Sequence, residues 1–188
     1  MQEIYSESIA LIGGGPASLM LIKYLVESES RPKTVFIFEK NDRLGVGMPY
    51  GKLGSNNEHV ANVSASELPK FSFSFEEFIN THPTNQFPDF FTDGYFNDKQ
   101  VIPRLLLGNY LEHLFEQYIK LAKKKGIGIV IRKNCAVVDI QLTNEQLYKI
   151  ITDSEDNYFA DNVIICSGHY WPKKHENNVK GWYDSPYP

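Results

Sequence analysis

Apolar residues along this chain follow two rhythms. Ser8-Ile9-Ala10-Leu11-Ile12, Thr34-Val35-Phe36-Ile37-Phe38 and Asn162-Val163-Ile164-Ile165-Cys166 are short, nearly continuous apolar runs, the pattern of parallel strands covered on both faces. Ile127 to Ile131 is a fourth candidate. Between the first two runs, Leu19, Ile22, Leu25 and Val26 recur at helical spacing from Pro16 onward, and Ser28 to Pro32 ends that helix. A longer helix is predicted after Pro103, with Leu107, Leu111, Leu114, Tyr118 and Leu121 on one face. Lys123-Lys124-Lys125-Gly126 closes it, and the lysines are read as a helix terminus ahead of an anion site.

Ala136 to Leu142, Gln146 to Thr152 and Tyr158-Phe159 are short strand candidates parted by Asn144-Glu145 and by Ser154 to Asn157, which predicts an antiparallel meander. Residues 41–103 are rich in Gly, Asn, Ser, Pro and Phe. One helix is predicted there, starting at Ser74 with Glu77 completing a capping box. The rest reads as a long loop of the kind that covers a ligand or shapes a site, with Phe71, Phe73, Phe75, Phe87, Phe90 and Phe91 packing it. The order strand, helix, strand at the start is a βαβ unit. The expected class is therefore α/β, a Rossmann-like fold with a central parallel sheet and an antiparallel β-meander, as one domain over residues 1–188 with an insertion at 41–103.

Composition narrows the partners. A chain of 188 residues, 42% hydrophobic, has ample core for one domain. A net charge of −4 supplies no broad basic field, which argues against nucleic acid. No apolar stretch approaches the roughly 20 residues that span a bilayer, and the first residues lack signal-peptide order, so no membrane partner and a cytoplasmic location are expected. Cys135 and Cys166 form no Cys-x-x-Cys pair, and Cys166, inside an apolar strand, is expected to be a buried, inert thiol. His59, His82, His113, His169 and His175 show no metal-ligand spacing, so no metal is expected. His59 and His169 flank candidate cofactor loops, and Arg104 fits either an anion contact or a structural one.

Gly13-Gly14-Gly15-Pro16-Ala17-Ser18 follows the first strand and opens the first helix. Gly13 permits the turn, Gly15 lets backbone approach a pyrophosphate, and the helix start aims amide donors and its positive end at the anion. Ser18 stands where that pattern asks for a third glycine and is small enough for close helix–strand packing. Glu39 ends the second strand, at about the distance from the glycines where a carboxylate accepts both ribose hydroxyls of an adenosine. An acid there also disfavours a 2′-phosphate, so NADP is a poor fit for this first site.

Phe38 to Gly51, with Glu39-Lys40 and Gly45-Val46-Gly47-Met48-Pro49, resembles the segment of FAD-dependent oxidoreductases that follows the ribose acid and wraps the flavin nucleotide. Glu58 to Ala65, Ile102-Pro103-Arg104 and Gly108-Asn109-Tyr110-Leu111 resemble FAD/NAD(P)-binding proteins of the NAD(FAD)-dependent dehydrogenase type, relatives of the flavin monooxygenases. Val163 to Gly168 with Pro172 resembles their second fingerprint, and Gly181 to Pro188 the linker before their second nucleotide region. The resemblance implies FAD as cofactor, with Gly13, Gly15, Pro16, Ala17 and Ser18 on the pyrophosphate, Glu39 on the ribose and Lys40 beside the adenine. It implies Gly47, Met48, Asn62 and Val63 toward the riboflavin portion, backbone at Val138 on the adenine, and Gly168 closing the pocket.

No second glycine-rich turn follows Gly168, so the chain is expected to be the N-terminal part of a longer flavoprotein. NAD(P)H as co-substrate would then sit mainly on a missing C-terminal half, which this chain would contact. No side chain is marked as catalytic, and the substrate is not specified. Three readings stand: an FAD-dependent, NAD(P)H-linked oxidoreductase such as a monooxygenase, a non-catalytic flavin- or nucleotide-binding module, and an NAD-dependent dehydrogenase with a plain Rossmann domain.

Overall fold

A computed structural model describes residues 7–82 and 97–168. Four parallel strands form its centre in the order β5 (Gly128–Arg132), β2 (Thr34–Phe38), β1 (Ser8–Ile12) and β9 (Asn162–Ile165). Ile12 lies opposite Phe38 on one side and Ile165 on the other, so the three strand ends that lead into the predicted motifs finish side by side. The first crossover helix, α1 (Pro16–Glu27), links β1 to its neighbour β2, whereas β9 arrives on β1's other flank after the rest of the chain. The strand order thus reverses at β1, the place where open α/β sheets leave a crevice beyond the strand ends.

Each face of the sheet has its own cover. On one, α1 packs along α3 (Arg104–Lys124), and Leu11, Val35, Ile37, Leu19, Ile22, Leu114 and Phe115 form a continuous core. α3 ends in a Schellman arrangement: the Gly126 and Ile127 amides donate to the carbonyls of Lys123 and Ala122, with Lys123 and Lys124 exposed in the last turn. The lysine run is therefore a helix terminus. On the other face lies the meander β6 (Val137–Leu142), β7 (Tyr148–Thr152) and β8 (Asn157–Ala160), whose Ile150 and Ala160 pack on Ala10 and Phe38.

The 41–103 region holds more regular structure than its composition predicts. Besides α2 (Phe75–Thr81), capped at Ser74 through Glu77 as expected, β3 (Val60–Ser64) pairs antiparallel with β4 (Val101–Pro103), and a 3₁₀ turn spans Ala65–Glu67. Phe71, Phe75 and Phe78 pack around Tyr110 of α3, whose hydroxyl donates to the Phe73 carbonyl at 2.6 Å. Burial holds that hydroxyl well above its ordinary pKa. Phe87, Phe90 and Phe91 lie outside the described residues, as do His169, Pro172, His175 and Gly181 to Pro188. β9 also departs from expectation: among the described residues it is an edge strand, and Ile165 is 70% exposed.

Candidate nucleotide site

Beyond the ends of β1, β2 and β9 the chain encloses a cavity of about 500 Å³. Its floor is the glycine turn. Gly13 adopts φ 109°, and a Cβ there would run into the Cys166 carbonyl, so only glycine lets the β1 turn and the end of β9 come this close. The Gly13 amide donates to Phe38 O and the Cys166 amide to Ile12 O, both at 2.8 Å, which holds the three strand ends level. Ser18, fully buried, donates its hydroxyl to the Gly13 carbonyl. It braces the turn from behind and does not line the cavity.

From Gly15 the chain enters α1 with Pro16 in the first turn and no side chain capping the helix amides. Gly15, Pro16 and Ala17 line the cavity, so those free donors and the positive helix end border its open space. Glu39 lies at the end of β2, 7% exposed, with its carboxylate on the same wall. One oxygen accepts the Gly14 amide at 2.8 Å; the other accepts the Asn41 amide at 2.9 Å and its side-chain NH₂ at 3.0 Å. Lys40 and Asn41 continue the wall.

Opposite, Gly47, Met48, Pro49, Tyr50 and the exposed Leu53 form a second wall. The Gly45 amide donates to Gly14 O at 2.7 Å, which seats this segment on the glycine turn. The third side comes from Cys135, Ala136 and Val137 just before and at the start of β6, brought in by the Cys135 amide donating to Glu39 O at 3.0 Å. Burial pushes the Cys135 thiol upward, keeping it protonated. Cys166, Ser167 and Gly168 close the end of the cavity. Cys166 is only partly buried, lies just past β9 and lines this space, which corrects its reading as a residue buried in the strand.

Of the residues singled out in the sequence, Gly13, Gly15, Pro16, Ala17, Glu39, Lys40, Gly47, Met48 and Gly168 meet around this one space. Asn62 is exposed on β3, Val63 packs against the helical core, and Val138, whose backbone is expected at the adenine, does not line the cavity, whereas the neighbouring Val137 does. His59 accepts the Asn56 amide through Nδ1, and Arg104 donates from Nε to the Val60 carbonyl, so both make local structural contacts. Asn41, Tyr50 and Cys135 were missed. Asn41 carried a signal in its position two residues past Glu39, whereas nothing local in the sequence places Cys135 beside that residue.

The chain is 26% identical over 182 residues to protein YdhS of Escherichia coli (strain K12), covering 96% of this chain and 34% of that protein. It is 26% identical over 167 residues to monooxygenase ptmN of Penicillium ochrochloron, covering 85% of this chain and 23% of that protein. The chain thus spans about a third or less of the length of these curated relatives. A cyclohexanone monooxygenase from Rhodococcus sp. Phi1 bound to NADP+ shares the fold, with a TM-score of 0.55 at 19% identity over 85% of this chain and 25% of that one. A model of FAD-NAD(P)-binding proteins matches residues 10–170, and the chain belongs to that family.

Proposed function

We propose that this chain is the FAD-binding part of an NAD(P)H-linked flavin oxidoreductase, and that the whole protein is a monooxygenase. The observation that carries the reading is an uncapped helix N-terminus and a ribose-type acid lining one cavity at the sheet's reversal point. The residues present fit a dinucleotide. The glycine turn leaves no side chain between helix amides and an incoming pyrophosphate, and Glu39, already held by Gly14 and Asn41, retains one acceptor site, on Oε2, for a ribose hydroxyl. Gly13, Gly15, Pro16 and Ala17 would cradle the pyrophosphate, Glu39 the ribose, and Lys40 with Val137 the adenine side. Gly47, Met48 and Tyr50 would flank the riboflavin side, and Gly168 would close the end.

A bound flavin would supply hydride-accepting and electron-transfer chemistry. This chain's own residues bind, orient and exclude water. The mostly apolar lining of Ile12, Phe38, Met48, Pro49 and Leu53 is suited to that exclusion. The monooxygenase reading draws on the names of ptmN and of the cyclohexanone enzyme. NAD(P)H would bind outside this cavity, which FAD would fill, and the relatives are about three times as long or more, leaving room for a second nucleotide site.

Calorimetric titration with FAD, FMN, NAD+ and NADP+ tests the reading. Binding of FAD ahead of the other three is expected. Tighter binding of NAD+ than of FAD would replace it with a plain dehydrogenase domain.

A further inference from the structure

The wall from Gly45 to Tyr50 has no strand or helix of its own, yet it must stay in place for the cavity to exist. Its inner edge rests on the glycine turn through the Gly45–Gly14 backbone bond and the close packing of Gly47 on Gly15 and Pro16. Its outer edge rests on α3. Gly45 lies so close there that a Cβ would stand 2.5 Å from the Leu111 carbonyl. Beside that contact, Arg43 reaches across to α3: Nε and Nη2 both donate to Glu112 Oε2, at 3.0 and 2.6 Å, and Nη2 also donates to Asn109 Oδ1 at 2.9 Å. Asn109 and Glu112 are three residues apart on one helix face, so they meet the guanidinium fork together. The Arg43 and Glu112 side chains are each 29% exposed, enough shelter for the contact to resist screening by solvent.

Among the described residues, no other side-chain hydrogen bond links 42–55 to a helix. Arg43 does not line the cavity, and α3 is anchored independently by buried Leu106, Leu107, Leu114, Phe115 and Tyr118. Buried Leu44 and Val46, and Tyr50 seated against Gly108 of α3, also hold the wall, so loss of the fork loosens it without unseating it and leaves the helix in its core.

We infer that Arg43 is a positioning residue that sets how long the cavity retains its nucleotide, by latching the Gly45–Tyr50 wall to α3 through Glu112 and Asn109. The ligand in this inference rests on the FAD reading above. Loosening the wall weakens contacts held in the bound state, and losses of that kind fall mainly on the dissociation rate. Lysine would keep the charge without the two-acceptor fork and would restore the latch only in part.

The test uses the full chain loaded with FAD, with R43A, R43K, E112A, the double variant R43A/E112A, and K33A as a surface ion-pair control. FAD release is followed by its fluorescence after dilution. Hydrogen exchange is measured on the same proteins without ligand. R43A and E112A are expected to release FAD roughly tenfold faster or more, as befits charged hydrogen bonds. Association should be unchanged, R43K intermediate, K33A like wild type, and the double variant no worse than either single one. Without ligand, exchange at residues 44–50 should quicken in R43A while β1 and α1 keep wild-type protection. Wild-type release from R43A, or a lowered melting temperature with release unchanged, would overturn the latch. If wild type takes up no FAD, the functional reading fails, and ligand-free exchange alone decides: quickening confined to 44–50 keeps the latch, uniform or absent quickening removes it.

Discussion

Replacing Glu39 with glutamine changes one atom's chemistry and leaves the shape of the site nearly intact. The wild-type carboxylate accepts at both oxygens: from the Gly14 amide at one, and from the Asn41 amide and side-chain NH₂ at the other. Glutamine has a single acceptor oxygen, so in either orientation its NH₂ confronts a backbone N–H. At a position 7% exposed, one donor left unpaired costs about 1–3 kcal/mol. In a domain of this size that lowers the melting temperature by about 2–4 °C per kcal/mol. Binding suffers separately. If the carboxylate also holds the ribose, exchanging a charged acceptor for a neutral one weakens FAD by roughly 10- to 100-fold. Thermal unfolding with and without FAD reads both terms on one sample. E39Q should melt lower without ligand, and its FAD-induced rise in melting temperature should shrink. Wild-type melting and a full FAD-induced rise in E39Q would refute both the hydrogen-bond accounting and the ribose role.

Three further outcomes are expected. Phe115 is fully buried where α3 meets the sheet, and F115A should cost about 3–5 kcal/mol in urea unfolding. Burial, then the His82 ring 4.6 Å away and Lys120, hold the His113 imidazole below its ordinary value, with Glu116 opposing. The folded state therefore favours neutral His113 while the unfolded chain takes up its proton near pH 6.5, so stability is full above about 6.5 and falls as pH drops below it. H113Q should flatten that decline in denaturation curves taken across pH 5–8. Cys135, its thiol raised by burial on the cavity wall, should react slowly with iodoacetamide at neutral pH and more slowly still with FAD present.

Local patterns in the chain foretell the part of the fold that local physics decides. The apolar runs at Ser8–Ile12 and Thr34–Phe38, with Pro16 opening a helix between them, leave few alternatives to a βαβ unit. β3 and β4 escape such reading because each is short, one ends in proline, and they meet across an insertion of more than thirty residues. Strand exposure is likewise a matter of topology: Val163 to Ile165 looks like a core strand, but β9 holds an edge position among the described residues. In the site, Gly13, Gly15 and Glu39 are legible because the backbone conformations and charge they supply lie beside strand ends. Cys135 and Val137 are not, since contacts almost a hundred residues back along the chain, from Cys135 to Glu39 O and from Asn134 to Asn41 O, bring them to the wall.

The central claim is that this cavity binds FAD through the glycine turn, and the visible spectrum of the purified chain tests it most directly. The chain is mixed with FAD, freed of excess by gel filtration and compared with G15V. A Cβ at Gly15 would already press within 3.3 Å of the Gly47 α-carbon, and the added methyls of valine would occupy the cradle. Flavin absorbance that stays with wild type and is absent from a folded G15V is the predicted result; a colourless wild type, or equal flavin in both proteins, would contradict the account.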